Sequence, residues 1–433
     1  MSQIQAFRAA LLHSLADPAE AGNADSHAYF DDGLLLVRDG KVLQAGPAAE
    51  LLPTLPADVP VRHFADALIC PGFIDTHIHY PQTGVIASYG TQLLDWLNTY
   101  TFPAEARFAD PRHASEGAEV FVRELLRNGT TTALVFGTVH PQSVDAFFTV
   151  AERLDLRMIA GKVLMDRNAP DNLTDSAESG YTQSKALIER WHGKGRLHYA
   201  VTPRFAPTSS PEQLALAGKL FAEYPGLYMH THLSENRGEI DWVKALFPER
   251  RDYLDVYEHY QLNGPRAVFA HGVHLCDDQC ARLAGSGSAI AFCPTSNLFL
   301  GSGLFDLAKM ERHGVRVGLG TDVGGGTSFS QLQSLGEAYK VLQLQGQSLT
   351  PFKSLYLATL GGAKALYLDQ HLGNFLPGKD ADFVVLDLKA TPLIDYRLRQ
   401  ARSLEEKLFA LITLGDDRVV QETFAAGNSV HRR

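Results

Sequence analysis

The stretch PGFIDTHIH, residues 71–79, closes an apolar run with two histidines one residue apart, His77 and His79. Side chains two apart on a strand share a face, so both imidazoles can reach one metal ion. Other reactive groups fall at the ends of further strand-like segments. They are Arg204-Phe205 after Thr202-Pro203, His232 followed by Ser234-Glu235-Asn236, His271-Gly272, and Gly320-Thr321-Asp322. His232 and Asp322 fit as the remaining members of a nitrogen and oxygen ligand set of the borderline kind that suits Zn²⁺ or Fe²⁺. A lone H-x-H pair among 17 histidines is weak evidence. The conjunction carries more weight, because a core role for His77/His79, His232, His271 and Asp322 would need four coincidences.

His230 lies two before His232 on the same face and competes with it as a ligand. One pleat deeper into the fold, it reads instead as a core or supporting histidine. His140, His259 and His274 read as surface or loop residues, and Asp75 as a brace for the turn at the end of its strand. A structural zinc site would be rich in cysteine, and no cysteine is placed to ligate here, whereas a catalytic site keeps water on the metal. Glu235, three residues past His232, is close enough to carry a proton for that water, which points to hydrolysis.

The elements that must position these groups follow from the apolar pattern. Eight strand-like runs, at 73–77, 130–136, 157–164, 197–201, 228–232, 267–271, 289–293 and 316–320, alternate with amphipathic helical stretches such as 113–128 and 212–224. Eight β-then-α units of buried type predict a (β/α)8 barrel of the α/β class, with its chemistry at the C-terminal ends of the strands. A hairpin over 33–43 with a D-G turn, and two strands over 381–387 and 419–428, lie outside that repeat. They are expected to pair into a small β-sandwich built from both ends of the chain. The expected units are 1–69 with 375–433, and a 70–374 barrel.

Composition excludes several classes. The chain has 433 residues, 39 basic against 49 acidic, for a net charge of −10. That balance argues against a nucleic-acid surface. No apolar run reaches 18 residues, so no membrane span is expected. The N-terminal stretch lacks a basic region and is interrupted by Arg8 and His13, unlike a signal peptide. Four cysteines without a C-x-x-C pair indicate neither a disulfide framework nor a zinc ribbon, and the expected setting is a reducing cytoplasm.

PGFIDTHIH, HTHLSEN, AHGVHL and GLGTDVGGG, in that order, resemble the four landmarks of the amidohydrolase superfamily. Within it the match is closest to the guanine deaminase family, through His79-Tyr80-Pro81-Gln82, Leu94-Asp95-Trp96-Leu97, Tyr100-Thr101-Phe102-Pro103-Ala104-Glu105 and Val201-Thr202-Pro203-Arg204-Phe205. The resemblance spans nearly the whole chain. It implies one zinc per subunit, or Fe²⁺ in its place, held by His77, His79, His232 and Asp322. It also implies that Glu235, His271 and Asp322 act on the water and the tetrahedral intermediate during hydrolysis of guanine to xanthine and ammonia. Water would attack C2 while Glu235 passes its proton to N3. Relatives with two metals carry a modified lysine at the end of the fourth strand. This chain has Thr202-Pro203-Arg204 there, and Lys162 starts a Lys-Val-Leu run in the third. Recognition of the purine falls to Arg204, whose guanidinium fork suits O6, to Gln82 along the base edge, and to Phe205 beside the ring. A homodimer is the family expectation, and the 84–108 segment is expected as a loop and helix over the pocket. The zinc deaminases that use H-x-E with P-C-x-x-C are a different pattern, missing here. Two other readings compete: a related hydrolase acting on cytosine, 8-oxoguanine, an adenosine derivative or a triazine, and a metal-free barrel scaffold, which would lack the ligands this chain has.

Overall fold

The computed structural model describes residues 4–90 and 93–433. Residues 1–3 of the expected terminal unit and leader reading, and residues 91–92 of the expected 84–108 cover, lie outside the described residues. The chain begins with β1 (Gln5–Ser14), which pairs antiparallel with β2 (His27–Arg38). The turn into β3 (Lys41–Pro47) is Asp39-Gly40, both left-handed with φ of 53° and 73°. This is the two-residue hairpin that a D-G pair favours. β4 (Val61–Pro71) then runs parallel to β1.

The barrel strands follow: β5 (Phe73–His79), β6 (Thr130–Phe136), β7 (Arg157–Gly161) with a short continuation β8 (Val163–Leu164), β9 (His198–Pro203), β10 (Tyr228–Leu233), β11 (Ala267–His271), β12 (Ala289–Phe292) and β13 (Arg316–Leu319). All eight expected runs are present, paired in parallel from β5 to β13. The run expected over 157–164 breaks at Lys162, whose backbone N–H donates to the Tyr199 hydroxyl at 3.1 Å instead of extending the ladder. The circle closes beyond the last strand, where Asp322 N donates to His77 O at 2.9 Å and His79 N to Val323 O at 2.8 Å. Between strands, helices cover the outside. In Pro111–Arg127 the buried Ala114, Ala118, Phe121, Val122, Leu125 and Leu126 fall at helical spacing on one stripe, and Asp110 caps the start through Arg112 N at 2.9 Å.

The chain returns to the first sheet through β14 (Phe383–Asp387), β15 (Val420–Ala425) and β16 (Asn428–Arg432), in the order β16-β15-β14-β4-β1-β2-β3. Phe7 on β1 and Phe424 on β15 are three strands apart, about 14 Å in a flat sheet. Their ring centroids lie 5.1 Å apart, so the sheet folds over on itself around an aromatic core, as the expected sandwich requires. Alternation sorts the side chains. Ile69, Phe383 and Val385 face this inner core, while Leu68, Cys70, Val384 and Leu386 face the large core shared with the barrel's helices. The barrel interior is filled by Ile74, Leu134, Ile159, Tyr228 and Val268, and Leu366, Leu368 and Leu372 join the same cluster. The Tyr228 hydroxyl ties that segment by donating to Leu366 O at 2.7 Å.

The sheet is also held to the N-terminal ends of the barrel strands by a buried charge cluster. Arg157, at the start of β7, donates through Nε and Nη2 to Asp380 at 3.0 and 2.6 Å, and Lys41 pairs with the same carboxylate. Arg196 grips both oxygens of Asp382 at 2.8 Å. Burial opposes ionisation of Asp380, yet Arg157 and Lys41 outweigh it and hold the carboxyl below its ordinary range. Removing one partner of such a pair leaves the others uncompensated. Asp380→Asn is therefore expected to destabilise the fold by about 3 kcal/mol. A urea-unfolding midpoint equal to that of the unsubstituted protein would contradict this.

Candidate active site

Plain alternation along β5 would place Ile74, Thr76 and Ile78 on one face. The structure does otherwise. Ile74 is in the barrel interior while Phe73 and Ile78 belong to the outer core. A register shift against β6 between Asp75 and Ile78 changes the phase, as a bulge does. The shift turns His77 and His79 inward at the strand's C-terminal end. Along β10 the alternation is regular, so Tyr228, His230 and His232 climb the interior in turn. Asp322 and His271 sit at positive φ, 53° and 73°, a conformation uncommon outside glycine, though Asp and His adopt it more than most, and concentrated at functional sites.

These backbones bring four atoms together. His77 Nε2 lies 3.3 Å from His79 Nε2, and His79 Nε2 lies 3.2 Å from His232 Nε2. Asp322 Oδ1 is 3.1 Å from His77 Nε2 and 3.4 Å from His79 Nε2. Ligands about 2.0–2.1 Å from a tetrahedral zinc are about 3.3 Å from one another. The protonation pattern fits as well. His232 Nδ1 is 2.6 Å from Arg204 O, which can only accept, so the His232 proton sits on Nδ1 and its Nε2 lone pair faces His79. His77 Nδ1 is likewise engaged, 2.7 Å from His230 Nε2. Burial, then mutual repulsion, holds His77, His79 and His232 well below the ordinary histidine range, in the neutral form a metal binds. Facing lone pairs around one point are relieved by a cation, so this donor set fits a single borderline metal.

Behind the ligands, Asp75 Oδ1 accepts from His77 N and from Thr321 N, both at 3.1 Å, and its Oδ2 accepts from the Thr321 hydroxyl at 2.5 Å. One carboxylate thus joins the strand bearing His77 to the residue before Asp322. His230 lies directly under His77, in a supporting position. Lys162 is buried against Asp175 rather than at this centre.

Glu235 and His271 flank the cluster. Glu235 Oε2 is 3.4 Å from His271 Nε2, which is 3.7 Å from Asp322 Oδ2. Burial, with smaller contributions from Glu239 and Asp322 against the opposing pull of His271, pushes the Glu235 carboxyl up to about 7. Such a group exchanges protons near neutrality. For His271 burial acts downward, but Glu235 and Asp322 outweigh it and raise its pKa. Sequence reasoning passed over the residues that aim these two. Asn297 Oδ1 meets His271 Nδ1 at 2.9 Å, and Ser302 Oγ donates to Glu235 Oε1 at 3.0 Å. Glu239 accepts from the backbone N–H of Glu235 at 2.9 Å and from the Tyr253 hydroxyl at 2.7 Å. His274, read as a loop bystander, holds Ser302 O at 2.8 Å. The S-E-N-x-x-E spacing of 234–239, a capping-box pattern, was the available signal for Glu239.

Gln82, Arg204 and Phe205 line the same cavity as His79, His232, Glu235, His271 and Asp322. Its apolar wall includes Trp96, Leu97 and Leu300. Trp96 and Leu97 belong to short helical turns, Leu93–Trp96, Leu97–Thr101 and Phe102–Ala106, that form the described part of the expected cover. Glu105, noticed in the sequence only as part of a motif, is fully buried and accepts from Gln82 Nε2 at 3.0 Å and Arg204 Nη1 at 2.7 Å.

Over most of its length the chain is similar to known proteins. The chain is 58% identical over 405 residues to guanine deaminase of Escherichia coli strain K12, covering 94% of this chain and 92% of that one. The solved E. coli structure superposes with a TM-score of 0.96, covering 100% of this chain and 99% of that chain at 54% identity. Guanine deaminase of Rattus norvegicus is 37% identical over 373 residues, covering 83% of this chain and 82% of that one. A guanine deaminase from C. acetobutylicum, solved with guanine in its active site, is 28% identical with a TM-score of 0.89, covering 99% and 100%. The model described as "Amidohydrolase family" matches residues 68–430, and the chain belongs to that family.

Proposed function

We infer that this chain is a metal-dependent hydrolase that deaminates guanine to xanthine and ammonia. The observation that carries the reading is one cavity with two unlike walls. One is lined by His79, His232 and Asp322, with His77 clustered behind them, and the other by Gln82 and Arg204, both held from behind by the buried Glu105. Near-full-length relatives named guanine deaminase, one with guanine in its active site, support the substrate.

The four ligands are proposed to hold one Zn²⁺, with Fe²⁺ chemically acceptable to the same donors. Bound there, the metal supplies a water acidified toward neutral pH. Glu235, poised near 7 and oriented by Ser302 and Glu239, receives the water proton and delivers it to N3 of the purine. His271, set by Asn297, and Asp322 steady the hydroxyl at C2, and the proton that this hydroxyl gives up passes to the amino group, which leaves as ammonia as the C2–N bond breaks and C2=O forms. Arg204 offers donors to O6, Gln82 addresses the base edge, and Phe205 packs by the ring, backed edge-on by Trp242 at 6.0 Å. The proposed setting is a homodimer in a reducing cytoplasm. Cys70, Cys280 and Cys293 as buried free thiols, together with the lack of a membrane-length apolar helix among the described residues, are compatible with it.

Zinc-loaded protein is expected to convert guanine to xanthine with one ammonia released per turnover, read by ultraviolet loss of guanine and an ammonia assay. Turnover of cytosine, 8-oxoguanine, an adenosine derivative or a triazine with guanine untouched would reject the substrate. His79→Ala should leave far less than one metal per chain by elemental analysis, and full occupancy would remove His79 from the ligand set. Glu235→Gln should keep its metal yet lose about 10²–10⁴-fold in kcat. A kcat near that of the unsubstituted enzyme would exclude Glu235 as the proton carrier.

A further inference from the structure

The helical turns beside the pocket also reach its polar wall. Helix Phe102–Ala106 places two side chains, three residues apart, against one guanidinium. The Phe102 ring lies 5.3 Å from Arg204 Cζ, on its face, and Glu105 Oε2 takes the Nη1 edge at 2.7 Å. An arginine constrained on a face and on one edge has its remaining donors fixed in direction. The other Glu105 oxygen accepts from Gln82 Nε2 at 3.0 Å, while Gln82 Oε1 accepts from Gly324 N at 3.1 Å. A carboxylate can only accept and a backbone N–H can only donate, so the Gln82 amide has one orientation. All three side chains are buried, Glu105 completely.

We propose that Glu105 is the positioning residue that sets substrate specificity: it spends both carboxylate oxygens fixing Arg204 and Gln82. With each oxygen turned to one of those donors, the guanidinium half of this wall presents donors to the base. A purine with an oxygen at C6 suits that wall, and one with an amino group at C6 brings donor against donor. This inference rests on the guanine reading and adds the residue that discriminates.

The test uses metal-loaded Glu105→Gln beside the unsubstituted enzyme, with guanine and 2,6-diaminopurine as substrates. An amide at 105 offers one acceptor where two are needed and sets its own NH2 against a donor. The expected result is normal metal content, a KM for guanine raised at least tenfold, and kcat within about threefold. The ratio of kcat/KM for guanine over 2,6-diaminopurine should also fall at least tenfold. Unchanged KM and ratio would overturn the proposal. So would a loss of kcat with the ratio preserved, since that is the signature of mere packing. If Glu105→Gln does not fold, Glu105→Asp decides. It keeps the charge but reaches one partner, and should lower the ratio, whereas an intact ratio would refute the role. Failure of the unsubstituted enzyme to act on guanine would overturn the substrate reading itself, and this inference with it.

Discussion

Buried imidazole nitrogens and a carboxylate oxygen brought to 3.1–3.4 Å from their neighbours in the cluster repel one another unless the side chains are held from behind and positive charge is placed among them. Much of the molecule serves that constraint. The Arg204 carbonyl holds His232, His230 backs His77, and Asp75 fastens the β5 end to the turn that carries Asp322. The phase change in β5 and the left-handed backbone of Asp322 are local costs accepted so that the donors converge. Barrel closure by backbone hydrogen bonds at His77 and His79 means that the fold and the centre are completed by the same contacts.

Burial does two opposite jobs within a few ångströms. It keeps the clustered histidines uncharged and so able to donate lone pairs, and it makes the Glu235 carboxyl reluctant to ionise. One environment therefore yields both neutral imidazoles and a carboxyl poised near neutrality. His271 moves the other way only because two carboxylates face it. Differences in what each group faces, at nearly equal burial, separate their roles.

Apolar runs and helical patterns were enough to read the eight barrel strands and part of the terminal sheet, because a buried strand or a one-faced helix writes its environment into composition; β1 and β4, central in that sheet, were not read from the sequence. Strand-end residues were legible for a related reason, since a barrel collects chemistry at one end. The bulge in β5 was not, because H-x-H shares a face with or without a phase change upstream. The break at Lys162 depends on a tyrosine hydroxyl from another strand, which no local pattern records. Glu105, Asn297 and Ser302 escaped for the same reason. Their partners lie far away in sequence, and a helix or loop residue carries no mark of the side chain it will meet.

The small sheet joins strands from the two ends of the chain, with Ile69 of β4 opposite Val385 of β14. During synthesis β1 to β4 emerge first, and the edge that β14 covers stays open while the entire barrel is being made. An open strand edge invites pairing with other chains. A chain cut short before β14 would carry His77, His79, His232 and Asp322 and still leave the β4 edge uncovered.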